Sequence, residues 1–131
     1  MALTADRNTQ FKDGELISVP VAVGKKIFAG ALVAANATGF ATPGATATTL
    51  TYIGRSEQMV DNTAGADGAV SVMVRRKKAF KWKNSGSDAV VQADLGKTCY
   101  IEDDQTVSHT STGKSAAGTV IEVDTDGIWV Q

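Results

Sequence analysis

Apolar and polar positions alternate with a period of two in short runs separated by turns, and no stretch of ten or more residues keeps a helical period. The longest strand-like run is Gly68 to Lys83, GAVSVMVRRKKAFKWK. Val70, Val72 and Val74 alternate with Ser71, Met73 and Arg75, which puts one set of side chains on a buried face and the other on a less buried one. After the polar break at Arg76-Lys77, Phe80 and Trp82 alternate with Ala79, Lys81 and Lys83. This predicts a second strand, or the same strand after a bulge, with both rings in the core and the lysines in solvent.

The remaining segments follow the same grammar. Met1 to Gly14 is polar with isolated Leu3 and Phe11 and shows neither period, so it is expected to be an extended arm, 1–14, ahead of a single β domain, 15–131, either ordered by gripping a neighbouring subunit or simply a frayed terminus. Glu15 to Val23 places Ile17, Val19, Val21 and Val23 on one face, and Pro20, which cannot donate to a ladder, marks an edge strand or bulge. Asn36 to Gly39 predicts a hairpin turn between Ile27–Asn36 and Phe40–Thr42, and Pro43-Gly44 a second turn. Leu50 to Gly54 is a further strand after a loop at Ala45–Thr49. Ser56 to Asp67 predicts a surface loop, and Gln92 to Lys97 a single helical turn. Two terminal hairpins close the chain, one turning at Asp103-Asp104 and one at Asp124–Gly127, with a Ser/Thr/Gly loop expected to be mobile, His109–Ser115, between them. The sum is an all-β fold, a compact barrel or sandwich of roughly eight to ten short, largely antiparallel strands.

Composition agrees with this. The 131 residues are 6% aromatic and include thirteen glycines, so the core is thin and the turns are many. The net charge is −1, which argues against a protein that coats nucleic acid, but the charge is unevenly placed. Arg75, Arg76, Lys77, Lys78, Lys81 and Lys83 form a basic ridge without one acid, whereas eight acids and only Lys97 and Lys114 follow from Asp88 onward. Such a layout lets the molecule pair with copies of itself or with a complementary partner, or compensates within one solvated surface. The N-terminal stretch has no apolar run, so no signal peptide is expected, and Ile27–Ala35 is too short to span a bilayer. The protein is expected to be made in the cytoplasm and to stay soluble, with no membrane partner.

Catalytic and cofactor patterns are weak throughout. Thr112–Ser115, TGKS, lacks the glycine a phosphate loop needs at position 108, which is Ser108. Asp124–Gly127 resembles the start of a calcium loop whose twelfth position would fall past Gln131. His109 is the sole histidine, no nucleophile elbow accompanies it, and the adjacent Asp103 and Asp104 point apart or into water. Cys99, the only cysteine, reads as a buried thiol. No enzyme activity, metal or cofactor is therefore expected. The ridge with Phe80 and Trp82 supports one alternative, a nucleic-acid-binding module using 75–83, but binding platforms need rings and charges on the same exposed face.

In VAVGKKIFAGALVAANATGFATPG, VMVRRKKAFKW, GKTCYIEDDQTV and AGTVIEVDTDGIWV, the chain resembles the small β-rich head proteins of tailed bacteriophages and Mu-like prophages, the decoration or cement proteins. The resemblance runs from about Glu15 onward and implies a structural virion protein. Such a protein binds the outer capsid surface, ties major capsid protein subunits together, and acts as a homo-oligomer, a homotrimer ahead of a homodimer. No nucleic acid is expected as a partner. A neck or tail position in the same virion is the other structural alternative. On this reading Leu3 and Phe11 are anchors of a gripping arm, and Arg7 and Lys12 pair with acidic capsid residues. The ridge Arg75–Lys83 meets either the capsid or the acidic terminal hairpins of a sister subunit.

Overall fold

The computed structural model describes all 131 residues and is all-β. Twelve strands run in the order β1 (Leu16–Pro20), β2 (Lys26–Ile27), β3 (Leu32–Ala35), β4 (Ala41–Pro43), β5 (Thr51–Ser56), β6 (Val60–Asp61), β7 (Ser71–Arg75), β8 (Phe80–Asn84), β9 (Thr98–Ile101), β10 (Thr106–Ser108), β11 (Ala116–Asp124) and β12 (Gly127–Val130). The strand count exceeds the expected eight to ten because β2 and β6, two residues each, pair inside segments that carry no alternation. One 3-10 turn, Gln92–Asp94, lies where a single helical turn was expected.

The strands form two curved sheets. The first has the order β1-β7-β5-β3-β4, and Val21, just past β1, bridges back to Ala41 of β4 in parallel, so this sheet nearly closes on itself. Its interior holds Val19, Val21, Ile27, Ala31, Val33, Ala41, Val60, Val72 and Val74. The second is a closed five-stranded barrel, β10-β8-β12-β11-β9, antiparallel except for β10 beside β8. Its interior holds Phe80, Trp82, Val90, Cys99, Ile101, Val107, Ala117, Val120, Ile128 and Val130, with Leu32 and Ala34 of β3 packed against them. Because side chains alternate along a strand, β3 sends Leu32 and Ala34 to one core and Val33 to the other.

Local chemistry explains several joints. The Asn36 Oδ1 accepts from Thr38 N–H, Thr38 Oγ1–H and Phe40 N–H at 2.9–3.0 Å, which fixes the β3–β4 hairpin while Gly39 takes the left-handed φ of 88°. Asn62, in the predicted surface loop, is instead buried and donates to the carbonyls of Val21, Ala22 and Ala66, clasping β6 onto the first sheet. Pro20 ends the edge strand β1, as its missing N–H requires. Val23, expected on the buried face, is 58% exposed, because the chain leaves the ladder after Val21 and Val23 N–H turns to Asp67 Oδ1.

Candidate interaction surface

The basic run is divided between the two sheets. Arg75 ends β7 in the first, Lys81 and Lys83 lie on β8 in the second, and Arg76 to Ala79 cross between them with Lys77 in the left-handed region at φ 62°. The ridge is therefore a seam between two sheets: of the two expected arrangements, a second strand rather than a bulged continuation of the first. Phe80 and Trp82 are 7% and 5% exposed, while Lys81 and Lys83 face solvent, as the alternation predicts. Neither ring face is available to stack a base.

Half of the ridge is neutralised within the molecule. Arg75 Nε lies 2.8 Å from Glu57 Oε1, which Arg55 also reaches at 2.7 Å, and Lys78 Nζ lies 3.0 Å from Glu15. Lys81 Nζ meets Asp126, in the β11–β12 turn, at 2.5 Å and Asp124, the last residue of β11, at 3.4 Å. The hydrogen bond to Asp126 raises the Lys81 pKa, and the same bond lowers that of Asp126. The acidic terminal hairpin thus takes up part of the ridge in the same chain. Arg76, Lys77 and Lys83 make no ion pair.

The arm carries the other predicted residues. Residues 1–13 are exposed and outside any strand. Leu3 is 72% and Phe11 98% exposed, and neither Arg7 nor Lys12 has an acidic partner. Its root is fixed: Asp13 Oδ1 accepts from Glu15 N–H at 3.2 Å, and Glu15 C=O accepts from Arg76 N–H at 2.7 Å. A Cβ added at Gly14 would lie 3.2 Å from Lys77 Nζ, so the arm departs beside the free cations of the seam.

Beside this root lies a groove of about 510 Å³ lined by Ile17, Val19, Thr51, Tyr52, Ile53, Arg76 and Lys77. It exists because β5 pairs with β7 only at Arg55–Arg75 and Ser56–Val74, so Thr51 to Ile53 have no ladder neighbour on that side. Under its wall the Tyr52 hydroxyl and Trp82 Nε1 are buried without a hydrogen bond of acceptable geometry. Burial pushes the Tyr52 phenol up to about 12, and the nearby Trp82 N–H offsets part of that rise. No sequence signal marks this groove, since it depends on where two strands stop pairing.

The His109–Ser115 loop, expected to be mobile, is strapped down. His109 Nδ1 lies 2.9 Å from the buried Asp94, whose pKa is lowered chiefly by the Val91 N–H. Asp88 accepts from Thr110 N–H and Oγ1–H at 2.8 and 2.9 Å, and Lys114 Nζ reaches Asp88 at 3.2 Å and Ser108 Oγ at 2.8 Å. These partners lie as far as 26 residues apart, which is why periodicity could not find them. The network satisfies buried polar groups where the barrel ends. No cluster of three or more His, Cys, Asp or Glu side chains has the arrangement of a metal site. No family model matches the chain, no curated protein matches its sequence, and no solved structure matches its fold.

Proposed function

We propose that this chain is a capsid decoration protein, a structural virion component that binds the outer surface of a phage head and ties major capsid protein subunits together as a homo-oligomer. The observation that carries the reading is the arm. Leu3 and Phe11 stand in water on an exposed segment that joins no strand, and a large apolar side chain gains about 1.5–3 kcal/mol when fully buried, so a neighbour that covered them would be held by that gain. The resemblance to head decoration proteins points the same way. Internal neutralisation of the ridge also fits, because it leaves Arg76, Lys77 and Lys83 as discrete cations for an acidic partner surface rather than a continuous field for nucleic acid. Interfaces of ordinary size become a firm clamp when one oligomer engages several capsid subunits at once.

The test is co-sedimentation with capsids assembled from the accompanying major capsid protein, alongside bare DNA, at physiological salt. Saturable capsid binding at a symmetric stoichiometry, absent from DNA and lost on deleting residues 1–13, is the expected outcome. Absence of capsid binding, or DNA binding that fades steeply with salt, overturns it.

A further inference from the structure

The arm and the groove are each unpartnered in one molecule, and their chemistries match. Phe11 and Asp13 are two residues apart, so in an extended segment they share one face, one apolar and one acidic, while Lys12 points the other way. The groove offers the same pair in complement: apolar Ile17, Tyr52 and Ile53, beside Arg76 and Lys77, which have no acidic partner of their own. Along the groove the unpaired side of Thr51–Ile53 supplies backbone donors and acceptors for an added strand. From these features we infer that the groove receives residues 9–13 of a second copy, so that copies hold one another by exchanging arms.

The molecule's own arm is not the occupant. The Asp13–Glu15 and Glu15–Arg76 hydrogen bonds fix the arm's root at the groove rim, yet Phe11, three residues earlier, is 98% exposed, so the arm leaves its own groove. Three extended residues span about 10 Å, so an acceptor groove must lie close to the donor's root. Root and groove are neighbours in every copy, so two facing copies can exchange arms reciprocally about a two-fold axis. Asp13 uses Oδ1 for its own turn and keeps Oδ2 for the Lys77 of the copy it enters. The inference rests on reading the arm as an assembly device and names the surface it meets first.

The experiment is sedimentation equilibrium of the full chain without capsids, with far-UV circular dichroism to verify folding of each variant. The parent chain should form an oligomer of defined size. Phe11→Ser should weaken self-association by about tenfold or more. Asp13→Lys alone and Lys77→Asp alone should each weaken it as well, and the double variant should restore it, because the arm of each copy then meets a complementary groove. Aspartate is tolerated in the left-handed region that residue 77 occupies. A parent chain that stays monomeric at 100 μM, or an oligomer indifferent to these changes, overturns the inference. Adding capsids separates the two readings. Loss of capsid binding with the oligomer intact sinks arm exchange and leaves the decoration reading standing. Loss of the oligomer with capsid binding retained does the reverse for the arm's role on the capsid.

Discussion

Replacing Gly54 with alanine tests the join that shapes the groove. A Cβ at this position would lie well inside 3.0 Å of the Arg75 carbonyl oxygen, 3.0 Å from its carbonyl carbon and 3.2 Å from Arg76 Cα. All three are backbone atoms, so no rotamer change relieves the clash, and β5 and β7 must separate instead. The join between them is short, the pairs Arg55–Arg75 and Ser56–Val74 continued by Glu57 N–H to the Met73 carbonyl at 2.9 Å, and the Arg55–Arg75 pair lies next to the clash. Losing two backbone hydrogen bonds costs about 2 kcal/mol, and overpacking adds about 1–3 kcal/mol. The expected destabilisation is therefore about 3–5 kcal/mol, a large share of the roughly 5–15 kcal/mol that folded domains possess. For a chain of this length that corresponds to a fall in Tm of about 10–18 °C. Gly86→Ala is the control, since nothing lies within 4 Å of its added Cβ and its φ is not left-handed. Its stability should change by less than about 1 kcal/mol, in the favourable direction if at all. Urea denaturation of the three proteins decides the matter. A Gly54→Ala protein within about 0.5 kcal/mol of the parent, or a Gly86→Ala protein equally weakened, refutes the reasoning.

Burial pushes the Cys99 thiol up to about 11, so it should ignore a thiol-specific chromogenic reagent at pH 8 in the folded protein and react at once in denaturant; immediate reaction of the native protein would contradict the packing. Glu57, Asp61, Asp88, Asp94 and Asp126 are held below their ordinary pKa values, first by Arg55, the Thr63 N–H, the Thr110 N–H, the Val91 N–H and Lys81 respectively. A depressed folded-state pKa contributes stability above the unfolded value, about 4, and loses it as pH falls through the folded value. The urea midpoint should therefore hold from about pH 7 to 5 and decline below about pH 4, less steeply in Asp94→Asn; a midpoint that rises on acidification would count against these contacts.

What could be read in advance was whatever a local period encodes. Phe80 and Trp82 alternate with Lys81 and Lys83, and that alone placed the rings inside. Asn36-Ala37-Thr38-Gly39 specifies its hairpin through one side chain and one glycine. Pro20 named an edge. What stayed hidden depends on the ends of pairing. The basic run looked continuous because six cations crowd nine positions, yet a left-handed Lys77 sends its halves to different sheets. Its partners Glu57, Glu15 and Asp126 lie in three separate segments, and nothing in their spacing announces them. The groove is legible only once β7 is seen to stop at Arg75 while β5 begins at Thr51.

The position of the groove couples an occupant to the whole molecule. Tyr52 on its wall packs against the core of the closed barrel, whereas Ile17 and Ile53 pack against the core of the first sheet. The two cores in turn share β3, so stripping either one exposes Leu32 and Ala34 or Val33 to water and weakens the wall of the other. An arm that binds the folded groove and has no site on the unfolded chain stabilises both cores by mass action. Cys99, deep in the barrel and remote in sequence from the arm, then reports on assembly: its reactivity should fall as protein concentration rises, and in Phe11→Ser this fall should shift to concentrations about tenfold or more higher. Protection confined to the first sheet would mean that the lobes open separately, whereas protection that reaches Cys99 makes β3 the element through which a surface contact is felt in the far core.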